Sequence, residues 1–386
     1  MKLAIVVHGR FHAFDLSRAL LERDHDVTIF TSYPMFAVSR FRVPSENVRS
    51  FPLHGGLGRV LLRDGLPFAE VRDRFMHTLF GRWAARALRA TNYDVKHIWT
   101  GVAEEVLRER TPGLDFVMRG SAHIRTQAHL LKTEADRVGG RVPGPSRWMI
   151  AREEREYALA DRLVVLSRFA WDSFVANGVP PERLRWLPLG SDLSRFRPPA
   201  AVVEARCRRL QANHPLRVLY VGALSWQKGT WDSARIAAAL PREAFHLRMV
   251  GAVTPEVGKL MRALRGNAEI VGKVPQARLR EHYDWADVFI FPTVQDGYAV
   301  VLAQAAAAGL PIITTPNCSG PDFIDEGRNG WIVPIRDPQA FIERLGWCAA
   351  NRSELAEMAS RVYAAFKPRD WRQVAADFEA LCLEGR

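Results

Sequence analysis

Apolar residues along this chain fall in short runs separated by longer stretches of helical periodicity. In the first half the runs lie at 3–7, 26–30, 115–119 and 162–167, and an amphipathic helix is predicted over 13–23. Runs that are apolar at successive positions fit strands covered on both faces, as parallel strands between helices are. A break follows at Leu187-Pro188-Leu189-Gly190 and Phe196-Arg197-Pro198-Pro199, and then the pattern restarts. Further runs lie at 217–221, 245–250, 269–271, 287–291, 311–314 and 331–333, with helices predicted over 202–211, 298–308 and 338–349. The alternation predicts an α/β protein: two doubly wound, Rossmann-like domains facing each other across a cleft, with right-handed crossovers. The expected division is a first domain over 1–190, a linker over 191–200 and a second domain over 201–366. A last helical segment over 367–386 is expected to pack back on the first domain. Residues 34–68, which hold several Gly and Pro, are expected to form loops and short helices near the cleft. Ligands of such sheets sit beyond the carboxyl ends of the strands, so residues just after predicted strands are the candidates for chemistry.

Composition narrows the picture. A chain of 386 residues, nearly half of them hydrophobic, has material for two cores. Its formal charge of +12 points to an anionic partner: nucleic acid, a membrane surface or a phosphorylated substrate. No recognition motif accompanies the charge, so nucleic acid is not expected. The four cysteines, Cys207, Cys318, Cys348 and Cys382, are sparse and nowhere at C-x-x-C spacing, which argues against a disulfide scaffold and a structural zinc site. The apolar run at 3–7 is too short for a signal peptide, and no stretch approaches the ~20 apolar residues of a membrane span. A cytoplasmic protein is expected, with peripheral contact at the inner face of a membrane left open. Arg72, Arg74, Arg82, Arg86 and Arg89 interleave with Phe75, Met76, Leu79, Phe80 and Trp83. That stretch either docks on anionic lipid or packs its apolar side on the core, and the packing reading is the simpler.

Two segments carry chemistry. The predicted strand 217–221 runs into Gly222-Ala223-Leu224-Ser225-Trp226-Gln227-Lys228-Gly229 and then a helix. A glycine turn before a helix offers backbone N–H groups and a positive dipole end to a phosphate, and Lys228 adds an ammonium. The second segment is more specific: Phe291-Pro292-Thr293-Val294-Gln295-Asp296-Gly297-Tyr298-Ala299, followed by a helix through Gln304 that Gly309 would end. In the first half, Gly9 and Arg10 follow the first strand with His12 close by, and His123 follows the run at 115–119; His129 and His97 are its rivals. Asp24-His25-Asp26 has the form of a metal signature but lies in a turn before a strand, where a surface turn is the simpler reading.

The second segment resembles the donor motif of the retaining glycosyltransferases of family 4, which have the GT-B fold. That family shows Glu, seven residues, Glu; Asp296 and Gln304 stand at those positions, and Gly297-Tyr298-Ala299 replaces Gly-Phe-Gly. The resemblance spans nearly the whole chain, with Gly222 to Gly229 matching the phosphate loop. It implies transfer of a sugar from a nucleotide-sugar donor to a hydroxyl of a saccharide or glycolipid acceptor, with no metal and no cofactor beyond that substrate. By resemblance Asp296 faces the donor sugar, Gln304 holds the ribose hydroxyls, Lys228 meets the leaving diphosphate and His123 lines the reaction centre. Gly9, Arg10, Gly222, Val274, Gly297 and Tyr298 complete the donor surroundings. The family's Arg after the loop glycine is Ala223 here, and Arg10 and Arg119 are candidates to supply that charge from across the cleft. A nucleotide-sugar-binding protein without transfer, and an epimerase on the same fold, are the alternatives. Cell-surface polysaccharide or glycolipid assembly is the expected setting.

Overall fold

The computed structural model describes residues 1–61, 69–264 and 266–384. It contains two parallel sheets. The first comprises β1 (Lys2–Val7), β2 (Asp26–Thr31), β3 (Val48–Ser50), β4 (Val95–Trp99), β5 (Leu114–Arg119), β6 (Arg162–Val165) and β7 (Leu184–Trp186). Their order is β3-β2-β1-β4-β5-β6-β7. The second comprises β8 (Leu216–Val221), β9 (Phe245–Val250), β10 (Glu269–Gly272), β11 (Val288–Phe291), β12 (Ile312–Thr314) and β13 (Gly330–Ile332), in the order β10-β9-β8-β11-β12-β13. In each sheet the winding direction reverses once, between β1 and β4 and between β8 and β11. Those reversals open crevices beyond the strand ends, which is where a ligand of a doubly wound sheet binds.

Strand burial explains the apolar runs. Along β1, Leu3, Ile5 and Val7 enter a core on one face of the first sheet, while Ala4 and Val6 enter a core on the other. The first of these cores is completed by Val374, Ala375, Phe378 and Cys382 of the last helix, Trp371–Leu383. That helix therefore returns to the first sheet; residues 385–386 lie outside the described residues. The two chain crossings between the sheets bond to each other, Ser191 N to Arg369 O at 3.0 Å and Arg369 Nε to Pro188 O at 3.1 Å.

Three strands escape the apolar-run criterion. The central β4 reads Val-Lys-His-Ile-Trp, and its two polar residues hide it. Both are nevertheless buried. Lys96 is affordable in the interior because its ammonium lies 3.1 Å from Asp115 Oδ1 and donates to Thr111 O (2.8 Å) and Pro112 O (3.1 Å). β3 and β7 are three-residue edge strands, too short to show a period. Within 34–68 the structure places the helices Met35–Val38 and Pro52–Leu61 besides β3, and 62–68 lies outside the described residues.

Candidate active site

The second sheet builds a cationic loop against an acidic one. After β8, Gly222 turns the chain, and the short turn Trp226–Lys228 ends at Gly229. Gly229 has φ 73°, and a Cβ there would lie 1.7 Å from Pro292 O, so only glycine lets this loop seat against the loop after β11. The buried Tyr220 ties the loop down by donating from its hydroxyl to Ala223 O (2.9 Å) and Lys228 O (3.2 Å). Val294 N donates to Gln227 O at 3.0 Å and joins the two loops. The result places Lys228 Nζ 2.6 Å from Asp296 Oδ2, with both side chains about one-fifth exposed. The ammonium is thus fixed, half-neutralised and open to a competing anion.

Asp296 also accepts from Tyr298 N at 3.2 Å, and Ala299 N donates to Ser319 Oγ at 3.2 Å. The following helix accordingly begins at Val300, two residues later than expected, and its approach amides are already paired. The Tyr298 and Ala299 amides are therefore not free to meet an anion. Gln304 is buried, and its Oε1 accepts from the Tyr283 hydroxyl at 2.8 Å. One half of the amide expected to hold ribose is therefore engaged by the protein. Val274 lies two residues past β10, half-buried against the second core.

At Gly297 the halves come close together. A Cβ there would lie 2.0 Å from Gly120 O and 2.5 Å from Ser121 Cα. Beside it Ser121 Oγ donates to Gln295 Oε1 at 2.8 Å across the cleft. Tyr298 reaches from the donor loop to the first core.

Facing this loop, a cavity of about 550 Å³ lies at the winding reversal of the first sheet. The ends of β1, β4 and β5 supply His8, His12, Trp99, Thr100 and Arg119, and Gln227 and Tyr298 close it from the other half. Arg119 is half-buried with its Nε 3.1 Å from Glu153 Oε2, and Tyr157 donates its hydroxyl to the same oxygen at 2.6 Å. Burial raises the Glu153 carboxyl above its ordinary pKa, and Arg119 opposes that rise. Burial lowers His8 to about 3, His12 to about 3 and His77 to about 4, and the neighbouring His77 adds to the effect at His8. His77 Nδ1 lies 2.9 Å from Gly101 O and must carry the proton there, since a carbonyl only accepts.

Residues 10–195 match the family model described as Glycosyltransferase Family 4, and residues 215–351 the model described as Glycosyl transferases group 1. The chain is 30% identical over 385 residues to the D-inositol 3-phosphate glycosyltransferase of Geodermatophilus obscurus, covering 92% of this chain and 80% of that one. The chain belongs to the GT-B glycosyltransferases. A further relative of this glycosyltransferase is the putative colanic acid biosynthesis glycosyltransferase WcaL of Escherichia coli, 27% identical over 202 residues, which are 48% of this chain and 47% of that one. The fold is shared over the whole length with Anabaena HepE in complex with UDP, at a TM-score of 0.70, 13% identity and full coverage of both chains.

The glycosyltransferase distributes its expected site residues unevenly. Lys228, Asp296, Gly222, Gly297 and Tyr298 converge on the cleft. Gly9, with φ 118°, ends β1, and its carbonyl accepts from Thr31 Oγ1 at 2.6 Å. Arg10 turns away, its guanidinium 4.2 Å from the Phe41 ring centre and 3.8 Å from Asp15. With Arg119 held by Glu153, neither arginine stands in for the charge absent at Ala223. His123 caps the helix Ile124–Val138, its Nδ1 accepting from Arg125 N at 3.3 Å and its ring packed on Tyr157 and Phe174. It is buried and is not among the side chains lining the cavity. His97 is buried between Trp99 and Phe378, His129 is exposed, and Asp26 pairs with Lys2 at the opposite end of the first sheet from the cleft. Sequence reasoning missed His8, His77 and Glu153, whose common address appears only once β1 and the helices Ala69–Leu88 and Arg147–Leu159 are in place.

Proposed function

We propose that this glycosyltransferase moves a hexose from a nucleotide-sugar donor to a hydroxyl of a saccharide or glycolipid, with retention of configuration and without a metal ion. The observation that carries the reading is Lys228 beside Asp296, 2.6 Å apart, at the winding reversal of the second sheet. A diphosphate over the Gly222–Gly229 loop takes the ammonium from Asp296 and frees the carboxylate for the donor sugar. As the bond from the anomeric carbon to the diphosphate breaks, charge grows on the departing oxygen next to Lys228; the bond to the acceptor oxygen forms on the same face, and the acceptor hydroxyl gives its proton to the departing diphosphate oxygen. Lys228 supplies the positive charge that a metal would otherwise bring. Retention rests on the likeness of 296–304 to the donor segment of the retaining family. HepE, solved with UDP, supports a nucleoside diphosphate as leaving group, and WcaL supports a setting in polysaccharide assembly. Lys228→Ala is expected to lower kcat by about a hundredfold or more with the melting temperature nearly unchanged, and a chelator to leave the parent's turnover intact. Unchanged turnover in Lys228→Ala defeats the assignment.

Peripheral contact with an anionic membrane belongs to the same proposal. Among the described residues no helix is long and apolar enough to cross a bilayer. Met35, Phe36, Leu53, Leu57, Val71 and Phe75, all between 35 and 75, are large, apolar and exposed. In the helix Ala69–Leu88, Met76 and Phe80 pack inward as expected, while Val71 and Phe75 face water beside the exposed Arg74. Apolar side chains interleaved with arginine suit the headgroup region of an anionic bilayer. Vesicles of phosphatidylglycerol should sediment the parent chain, and the double variant Leu53→Ser, Phe75→Ser should stay in the supernatant. Neutral phosphatidylcholine vesicles should capture neither.

A further inference from the structure

Phe11 follows β1 at the cavity of the first sheet and lines it. It is 57% exposed and holds φ 42°. A bulky aromatic in the left-handed region, turned to water, gains little from the core for its strain. Strain of this kind gathers where a ligand is clamped. The Phe11 ring meets His8 edge-on, 5.7 Å between centres, and behind them the cavity continues to His77, Trp99, Thr100 and Gln127.

The charge of this cavity is its second distinctive property. Among the described residues, the lining groups with a full charge are Arg119 and Glu153, and they pair with each other. Arg119 spends its Nη2 on Gln127 at 2.5 Å. Burial keeps the lining histidines uncharged at neutral pH, and Arg10 points to Phe41 and Asp15 instead. The cavity therefore offers aromatic surface and neutral donors and acceptors, but no uncommitted cation. A phosphate entering it would shed water with nothing to replace the lost solvation. A pyranose would lay its C–H face on an aromatic ring and exchange water for neutral hydrogen bonds.

We propose that this cavity is the acceptor subsite for an uncharged sugar residue and that Phe11 is the platform on which that residue stacks. The inference rests on the transferase reading above, and the two can fail separately. Saturation-transfer NMR on the full chain would use the methyl pyranosides of glucose, galactose and mannose, with glucose 6-phosphate and D-inositol 3-phosphate as charged probes. At least one methyl pyranoside should bind in preference to both phosphates. Phe11→Ala should weaken that binding about tenfold, Phe11→Trp should preserve it, and nucleoside diphosphate affinity should be the same in all three proteins. Tighter binding of the phosphates, no pyranoside binding, or a Phe11→Ala affinity within about twofold of the parent overturns the subsite. If pyranosides bind as stated but no donor sugar is ever transferred, the transferase reading falls and the cavity remains a binding site for an uncharged sugar, with no acceptor role.

Discussion

Lys228 owes its position to the residue after it. Without a side chain at Gly229 the Gly222–Gly229 loop rests on Pro292, and the ammonium meets a carboxylate 68 positions away. The frame of this pair was legible in the sequence, because glycine turns after apolar runs mark strand ends and the spacing from Asp296 to Gln304 follows a known motif. The partners of each side chain were not legible. Nothing local tells that Gln304 accepts from Tyr283, or that Arg119 is neutralised by Glu153, since both depend on helices arriving from elsewhere. His123 shows the same limit: its position after a strand suggested chemistry, and the structure makes it a helix cap. His123→Ala is expected to cost about 1 kcal/mol of stability, seen as a lower melting temperature, and to leave kcat near the parent value. A collapse of kcat at constant melting temperature would instead put the imidazole in the reaction.

At the scale of elements, β3 and β7 are too short to show a period, and β4 hides behind polar residues that find their partners in the tertiary structure. β4 is central yet carries Lys96 and His97: Asp115 of β5 and the Thr111 and Pro112 carbonyls hold the Lys96 ammonium, and His97 lies between Trp99 and Phe378. The ends of β1 and β4 together with the helix Ala69–Leu88 bury His8, His12, His77 and His97, lowering each of them. The sign follows directly. Below the ordinary value of 6.5 the unfolded chain takes up protons that the folded histidines refuse, down to about 3 at His8 and about 4 at His77. Their contribution is complete above 6.5 and is lost as the pH falls through that window. Asp115, lifted to about 6 chiefly by burial, binds its proton more readily when folded and pulls the other way. The histidine effect is therefore best read as a difference: the melting temperature of His77→Gln should fall less than that of the parent between neutral pH and about 4.5.

Across the whole molecule, the doubly wound plan was legible from the restarting pattern of apolar runs, but the contacts that hold the halves together were not. The helix Ile124–Val138 of the first half carries Glu134, which is fully buried and 2.8 Å from Arg336 Nε of the second. Arg336 also donates to Leu130 O at 2.8 Å, and Arg137 donates to Asp232 Oδ2 at 3.0 Å. Removing one partner of such a buried pair costs about 3 kcal/mol, charged against whatever conformation contains it. Arg336→Ala is expected to part the halves, giving a larger radius of gyration in X-ray scattering and weaker nucleoside diphosphate binding. An unchanged scattering curve would show that other contacts suffice.

Asp232 gives that clasp a meaning for the working cycle. It stands in the first turn of the helix Thr230–Ala239, immediately behind the glycine that seats Lys228. One short helix thus holds the Gly222–Gly229 loop at its front and the opposite half of the protein through its first turn. In the proposed function a nucleoside diphosphate rests on Lys228 after transfer, and its release and the opening of the clasp would then act on the two sides of the same short helix. Were the two coupled through that helix, a variant with a weaker grip would turn over faster at saturating donor.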